Sequence, residues 1–420
     1  MIPTLDTGYR VAARRRTLRT LAASQIVAGV GIAGLGTAGA LLVYDITGDE
    51  ALSGLAQTFS VTGAALMAVP LARLTARGGR RLAIGSGYGL ASLGALLAVV
   101  GGTQRWLTLI LFGTMLAGAG TAAGYQLRFA AVDLSLPEHR GRDLAMVLWA
   151  GTVGSVLGPN LLEWSGGRAL AMGLPKLVGP YLFAGASVFL ALLILLVFLR
   201  PDPYLLSVQL AGRSKPDEHR SLRHGLHLIR ASKPASLALA ATVIGHIAMV
   251  SIMVMTPVHM KHVDASLRII GLVVSVHILG MYLLSPVMGW AADRWGRVAV
   301  IRLGVLLLMA SALTAGTAPA GNVPQLGVGL FLLGLGWSAT MVAGSTMLAE
   351  SMPVEERPSV QGTSDLFMNG AAAVGGAIAG VIIAQLSYAA LCSIAMVPVL
   401  FLGIASLRFR SALEPAPHHP

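Results

Sequence analysis

Long apolar runs broken by short polar interruptions dominate this chain of 420 residues. Twelve stretches have the length and apolar character needed to cross a bilayer core, about 20 residues each. They run near 20–44, 52–72, 82–103, 106–130, 144–163, 178–199, 236–258, 268–290, 298–318, 326–349, 359–384 and 386–407. Inside them Ala, Leu, Val and Gly follow one another with little alternation of polar and apolar positions. Outer-membrane strands need short alternating segments, so the pattern predicts helices. The expected fold is an all-α polytopic membrane protein. The first stretch is too long for the core of a signal peptide and lacks a small-residue cleavage site, so it is read as a span.

Composition narrows the class. Hydrophobic residues make up 55% and charged residues 11%, against roughly 25% charged in soluble domains. A soluble fold would lack its polar shell, and disordered chains have the opposite bias. A disulfide scaffold is excluded by the single Cys392. The net charge of +12 follows from topology. With the N-terminus inside, 25 of the 30 Lys and Arg residues fall in cytoplasmic segments and 5 in outer loops. The positive-inside rule then puts both termini in the cytoplasm and the chain in the cell membrane. Dispersed over membrane loops, these residues make no stripe for nucleic acid.

The longest polar segment, 200–235, follows the sixth span. It predicts an N-terminal six-helix bundle at 1–199, a cytoplasmic linker and a C-terminal six-helix bundle at 236–420. The halves are related by a shift of 217 residues. Gly79 and Arg80 fall on Gly296 and Arg297, Asp133 on Glu350, Glu138 on Glu355, Arg140 on Arg357 and Gly158 on Gly375. Parallel repeats of six spans give two pseudo-symmetric bundles.

At the loop between spans eight and nine stands Gly289-Trp290-Ala291-Ala292-Asp293-Arg294-Trp295-Gly296-Arg297. It resembles the G-x-x-x-D-R-x-G-R loop of the major facilitator superfamily. The copy between spans two and three is degraded: Ala72 and Ala76 stand where that family has Gly and Asp, while Arg77, Gly79, Arg80 and Arg81 remain. The likeness extends over the whole chain by span count, central loop and motif placement. It implies the major facilitator fold and transport of a small molecule by a monomer, with no cofactor and no enzymatic reaction.

Chemistry suggests a role for each loop residue. Gly289 and Gly296 suit a tight turn between antiparallel helices. Asp293 can accept hydrogen bonds from amides at a helix N-terminus; the resemblance implies that it helps hold the cytoplasmic gate closed. Arg294, Arg297 and the pair Glu350/Arg357 are expected to complete a charge network. Asp133/Arg140, with Arg77, Arg80 and Arg81, are its expected counterpart. The other reading is that these arginines only orient the chain by binding lipid phosphates. In span five, Gly154-x-x-x-Gly158-Pro159 is similar to the core of the family's antiporter motif, which implies export in exchange for protons. Leu162 and Glu163 depart from its end, and generic helix packing remains the alternative. The Arg that drug exporters of the family often carry in span four is replaced by Thr114.

Ionisable groups inside a span are costly and point to function. Asp365 lies some six residues into span eleven, on one face with Gln361 and Asn369. His246 and His277 sit near mid-depth in spans seven and eight and titrate near neutrality. Arg128 lies low in span four, within reach of Asp133, a lipid phosphate or a cavity. Gln25, Gln57, Gln126 and Asn160 offer neutral hydrogen bonds, and Trp337 an aromatic face. The expected function is proton-coupled export of a small organic or drug-like compound, with Asp365 first among the proton carriers. A nutrient or metal-ion importer of the same fold, supported by His246, His277 and nearby Met residues, is the second reading. A receptor or scaffold that transports nothing is the third. No metal site is assigned.

Overall fold

The computed structural model describes residues 7–33, 35–48, 52, 55–212, 222–261, 267–319 and 321–409. In chain order the helices are α1 (Thr7–Ile32), α2 (Leu35–Thr47), α3 (Leu55–Thr103), α4 (Leu107–Val132), α5 (Arg140–Asn160), α6 (Leu162–Ala171), α7 (Gly179–Phe198) and α8 (Pro203–Leu210). They continue with α9 (Leu222–Ala231), α10 (Lys233–Lys261), α11 (Leu267–Tyr282), α12 (Ser285–Trp295), α13 (Arg297–Gly316), α14 (Val323–Glu350), α15 (Arg357–Gln385) and α16 (Tyr388–Leu407). Among the described residues no strand is present.

Backbone groups in lipid must be satisfied within the chain, which helices alone achieve segment by segment. Hydroxyl side chains in these helices do the same locally: Thr75, Thr256 and Thr346 each donate to the carbonyl four residues back. Helix starts are marked by side-chain caps. Asn322 accepts from the amide of Gln325, Ser387 from Ala390, and Asp202 from Tyr204 and Leu205.

Nine helical segments among the described residues are long and apolar enough to cross a membrane. The segment Leu55–Thr103 carries two of the predicted spans, so these nine account for ten of the twelve. The first and fifth predicted spans fall on α1 with α2 and on α5. The chain is an all-α, multi-pass membrane protein.

Contacts divide it into two compact units. The first holds Met1–Ser135, Ala150–His227 and Pro353–Gly370; the second holds Leu136–Trp149, Leu228–Met352 and Ala371–Pro420. This division crosses the sequence halves at two helices. The first part of α5 belongs to the second unit, and the first part of α15 to the first.

The first unit is packed through small residues. Gly94 of α3 and Gly113 of α4 face each other so closely that a methyl on either would strike the other's carbonyl. One of its clusters joins Leu42, Val43, Ala98, Val99, Ile110 and Tyr181. Its largest fully buried side chains include two arginines, Arg80 and Arg128. In the second unit α14 is buried almost continuously from Gly334 to Ala349.

Gly79 lies within α3 at φ 86° and ψ 179°, and Gly296 separates α12 from α13 at φ 90° and ψ 154°. Residues with a Cβ do not hold these angles without strain. The two positions are one repeat apart, so the same turn recurs in both halves.

Candidate functional site

In the second unit, α12 places Asp293 against the start of α5. Its two carboxylate oxygens accept the amides of Gly141 and Arg142, both at 2.8 Å. Those are the second and third residues of the helix, where amides lack intrahelical partners and the dipole favours an anion. Arg297 stands 2.8 Å from Asp293. Its guanidinium also grips Glu350 at 2.9 and 3.2 Å, donates to the Pro137 carbonyl at 3.0 Å and reaches the Ala292 carbonyl. Arg140 approaches Glu350 at 3.6 Å. Arg140, expected in the counterpart network, pairs here. Glu350 takes Arg297 and Arg140, because the start of α5 packs within the second unit. Gly289 also departs from expectation: it is no turn residue but lies inside α12, where its bare Cα meets the Gly141 carbonyl and the Ala145 methyl.

The first unit holds the related network. Arg80 is fully buried and spends its fork on three partners. Nε and Nη2 donate to Asp133 at 2.8 and 3.3 Å, Nη1 donates to Gln126 at 2.7 Å, and Nη2 donates to Gln361 at 2.6 Å. Tyr204 lies against its guanidinium at 5.9 Å from the ring centroid. The partners come from α4 and α15. Asp133 thus pairs with Arg80, a member of the network expected for it. Arg357 is buried at the start of α15. Arg77 and Arg294 are exposed. Arg81 donates its amide to Asp202 at 2.8 Å and its Nε to the Leu196 carbonyl at 2.9 Å.

The degraded loop copy is complemented by α15. By the repeat register Ala72 corresponds to Gly289 and Gly362 to Ala145. A methyl on Gly362 would strike the Ala72 methyl, just as one on Gly289 would strike Ala145. The glycine has moved to the other side of the contact. Likewise Ala76 corresponds to Asp293, and Pro358 to Gly141. Proline has no N–H, so the second residue of α15 offers an anion no amide.

Deeper along α4 and α15, Arg128 Nη2 donates to Asp365 Oδ1 at 2.5 Å. Both side chains are out of contact with solvent, at 0% and 2% exposure. The expected partners Asp133 and lipid phosphate are thereby replaced. Tyr125 and Phe129 face the guanidinium at 5.2 and 4.7 Å. Arg128 Nε and Nη1, Asp365 Oδ2 and the Nε2 atoms of Gln126 and Gln361 have no partner among the described residues. Such donors in a buried place want acceptors. Asn369 turns back to the Asp365 carbonyl at 2.8 Å.

The two histidines have separate settings in the second unit. Trp337 donates its indole N–H to His246 Nδ1 at 3.0 Å and stacks edge-on against Tyr282. His277 Nδ1 donates to the Leu330 carbonyl at 2.9 Å. No group of three His, Cys, Asp or Glu residues that could hold a metal occurs among the described residues.

The remaining predicted residues are dispersed. Gln57 lines a cavity of about 20 Å³ with Ser60, Thr114 and Tyr181, and Gln25 lies beside Gly124. Gly154 packs against the backbone of Gly29 in α1, and Gly158 is buried. The side chains of Pro159 and Asn160 lie outside the described residues. Two further acids, Asp202 and Asp143, have defined places. Asp202 caps α8 and lies against Gly79; the signal was an Asp followed by Pro203, a helix start. Asp143 is buried in the first turn of α5.

Nine membrane-crossing segments among the described residues, repeated loops of one geometry and a buried ion pair belong to a multi-pass membrane protein. The family model described as Major Facilitator Superfamily matches residues 21–266 and 237–420, and the chain belongs to that superfamily. Its members are transporters of small molecules and not enzymes. The MFS-type transporter YddS of Bacillus subtilis is 34% identical over 96% of this chain and 93% of its own length. The riboflavin transporter RfnT of Brucella anthropi is 26% identical over 81% and 82%. Among solved structures, the proton:xylose symporter XylE superposes with a TM-score of 0.71 at 13% identity, covering 96% of each chain. The human organic anion transporter MFSD10 superposes at 0.70 and 19% identity, covering 94% of this chain and 99% of its own. These two likenesses concern the fold.

Proposed function

We propose that this transporter exports a small organic or drug-like compound in exchange for protons. It works by alternating access in the cell membrane, with both termini in the cytoplasm. The observation that carries the reading is the Arg128–Asp365 pair. An ion pair inside a span resists separation, because each charge left alone in low dielectric is costly. A proton delivered to Asp365 removes that cost on its side and frees Arg128 to take another acceptor. Proton arrival and substrate handling are thereby linked at one place. Asp293 and Arg80, with their partners, hold the cytoplasmic ends of α5 and α15 while the pair is closed. Gly154 and Gly158 let α5 approach α1, in keeping with an antiporter.

A second reading is uptake of a nutrient, favoured by the relative named for riboflavin. It shares the fold and the loops and differs in direction.

The deciding experiment is transport in proteoliposomes with an imposed pH gradient, run beside Asp365→Asn. The expected result is substrate movement against its gradient, abolished by a protonophore and by the variant. Movement unchanged by the protonophore refutes proton coupling, and gradient-driven uptake in place of export establishes the second reading.

A further inference from the structure

At the basic end of the first unit, α1 and α7 enclose an open groove of about 790 Å³. Gly8, Val11 and Ala12 line its start on α1, and Arg15, Arg16 and Arg19 follow. Ala23 and Ile194 line its inner part, and Phe198 stands at its edge. Arg15 and Ala23 are eight residues apart, about 12 Å along the helix. Along α1 the lining is therefore cationic from Arg15 to Arg19 and apolar from there toward the spans.

Among the described residues no carboxylate lines it. Arg16 Nε donates to the Phe198 carbonyl at 3.0 Å, which fixes one guanidinium across the mouth and satisfies the end of α7. Arg15 and Arg19 are exposed beside it. Phe189, Leu190, Leu193, Val197 and Phe198 form an exposed apolar face on α7, which puts the groove on the lipid-facing perimeter. Three cations beside an apolar slot call for an anion that carries a hydrocarbon tail. Guanidinium forks match phosphate oxygens, and basic residues at a membrane surface each attract anionic lipid by about 1 kcal/mol. A free phosphate would leave the apolar inner part unused.

We propose that this groove is a binding site for one anionic phospholipid. Its phosphate sits on Arg15 and Arg19, and an acyl chain runs past Ala23 and Ile194. None of its lining residues belongs to the loop networks.

The test is native mass spectrometry of the purified full-length chain, titrated with phosphatidylglycerol or phosphatidylcholine in detergent. The wild type is expected to retain one phosphatidylglycerol at least tenfold more tightly than phosphatidylcholine. Arg15→Gln/Arg19→Gln should remove that preference. Ala23→Phe, which fills the apolar part and leaves the charges, should weaken retention as well. Arg73→Gln, an exposed arginine outside the groove, should leave it unchanged. Equal retention of the two lipids overturns the proposal, as does full retention by either groove variant. Equal loss in Arg73→Gln, or displacement of the lipid by equimolar inorganic phosphate, overturns it too.

Discussion

Replacing Arg80 by Met is the most demanding test of the buried network. The change removes four hydrogen bonds, two to Asp133 and one each to Gln126 and Gln361. Asp133 would be left as a buried charge without that partner, a loss of about 3–5 kcal/mol when one member of a buried pair is removed. Each glutamine oxygen left without its donor costs about 1–3 kcal/mol more. These losses share partners and do not add in full, so the expected destabilisation is on the order of 5 kcal/mol. Arg80→Met/Asp133→Leu removes both charges and should recover about 1–3 kcal/mol of it. Arg80→Lys keeps the charge but loses the fork, and should fall between wild type and Met. The chain supplies its own reporter: its one cysteine, Cys392, is buried. Reaction of a thiol-specific fluorophore during a temperature ramp in detergent therefore follows unfolding. The order expected is wild type, then Lys and the double variant in either order, then Met alone. A Met variant that unfolds with the wild type, or a double variant less stable than Met alone, refutes the reasoning.

Asp293→Asn keeps one amide acceptor for α5 and loses a charge-assisted bond, about 1.5–3 kcal/mol. Transport should fall severalfold while membrane insertion, read by surface-to-total protein, stays normal. Gly296→Ala, forced to hold φ 90°, should lose about 1–3 kcal/mol in the thiol assay, and Gly79→Ala should lose more because Asp202 lies against it. Ala76→Asp alone should gain little stability, since Pro358 has no amide to give and Ser359 alone of the two corresponding residues has one. Ala76→Asp/Pro358→Gly should be more stable than Pro358→Gly alone by about 1 kcal/mol, the value of a helix cap; equal stability would sink the proposed correspondence between the two loops.

The spans were legible because twenty apolar residues in a row admit one structure in lipid. The intact loop was legible for a similar reason: Gly296 and Asp293 have narrow physical uses, and both appear in them. Partners were less legible. Sequence order suggests Glu350 with Arg357 and Asp133 with Arg140, since each pair lies seven residues apart. The structure joins Glu350 to Arg297 and to Arg140, and Asp133 to Arg80, with the start of α5 belonging to the second unit. Nothing in a single sequence reports that placement. Arg128 is similar. Its position low in α4 left three partners open, and the one it takes lies 237 residues away. Asp202 was readable from its Pro neighbour but was hidden by the polar linker around it.

The contacts at 72/362 and 145/289 constrain the routes by which such a chain can change. Each joins one glycine to one alanine, in opposite order. A lineage that exchanges the two must pass through an intermediate carrying both glycines or both alanines. Two alanines place two methyl groups in the space of one and push the helices apart. Two glycines leave a gap of a methyl group, which costs about 1 kcal/mol and can be survived. The open road between the two arrangements therefore runs through the paired glycines, and a family tree of this loop should show that state at its branch points.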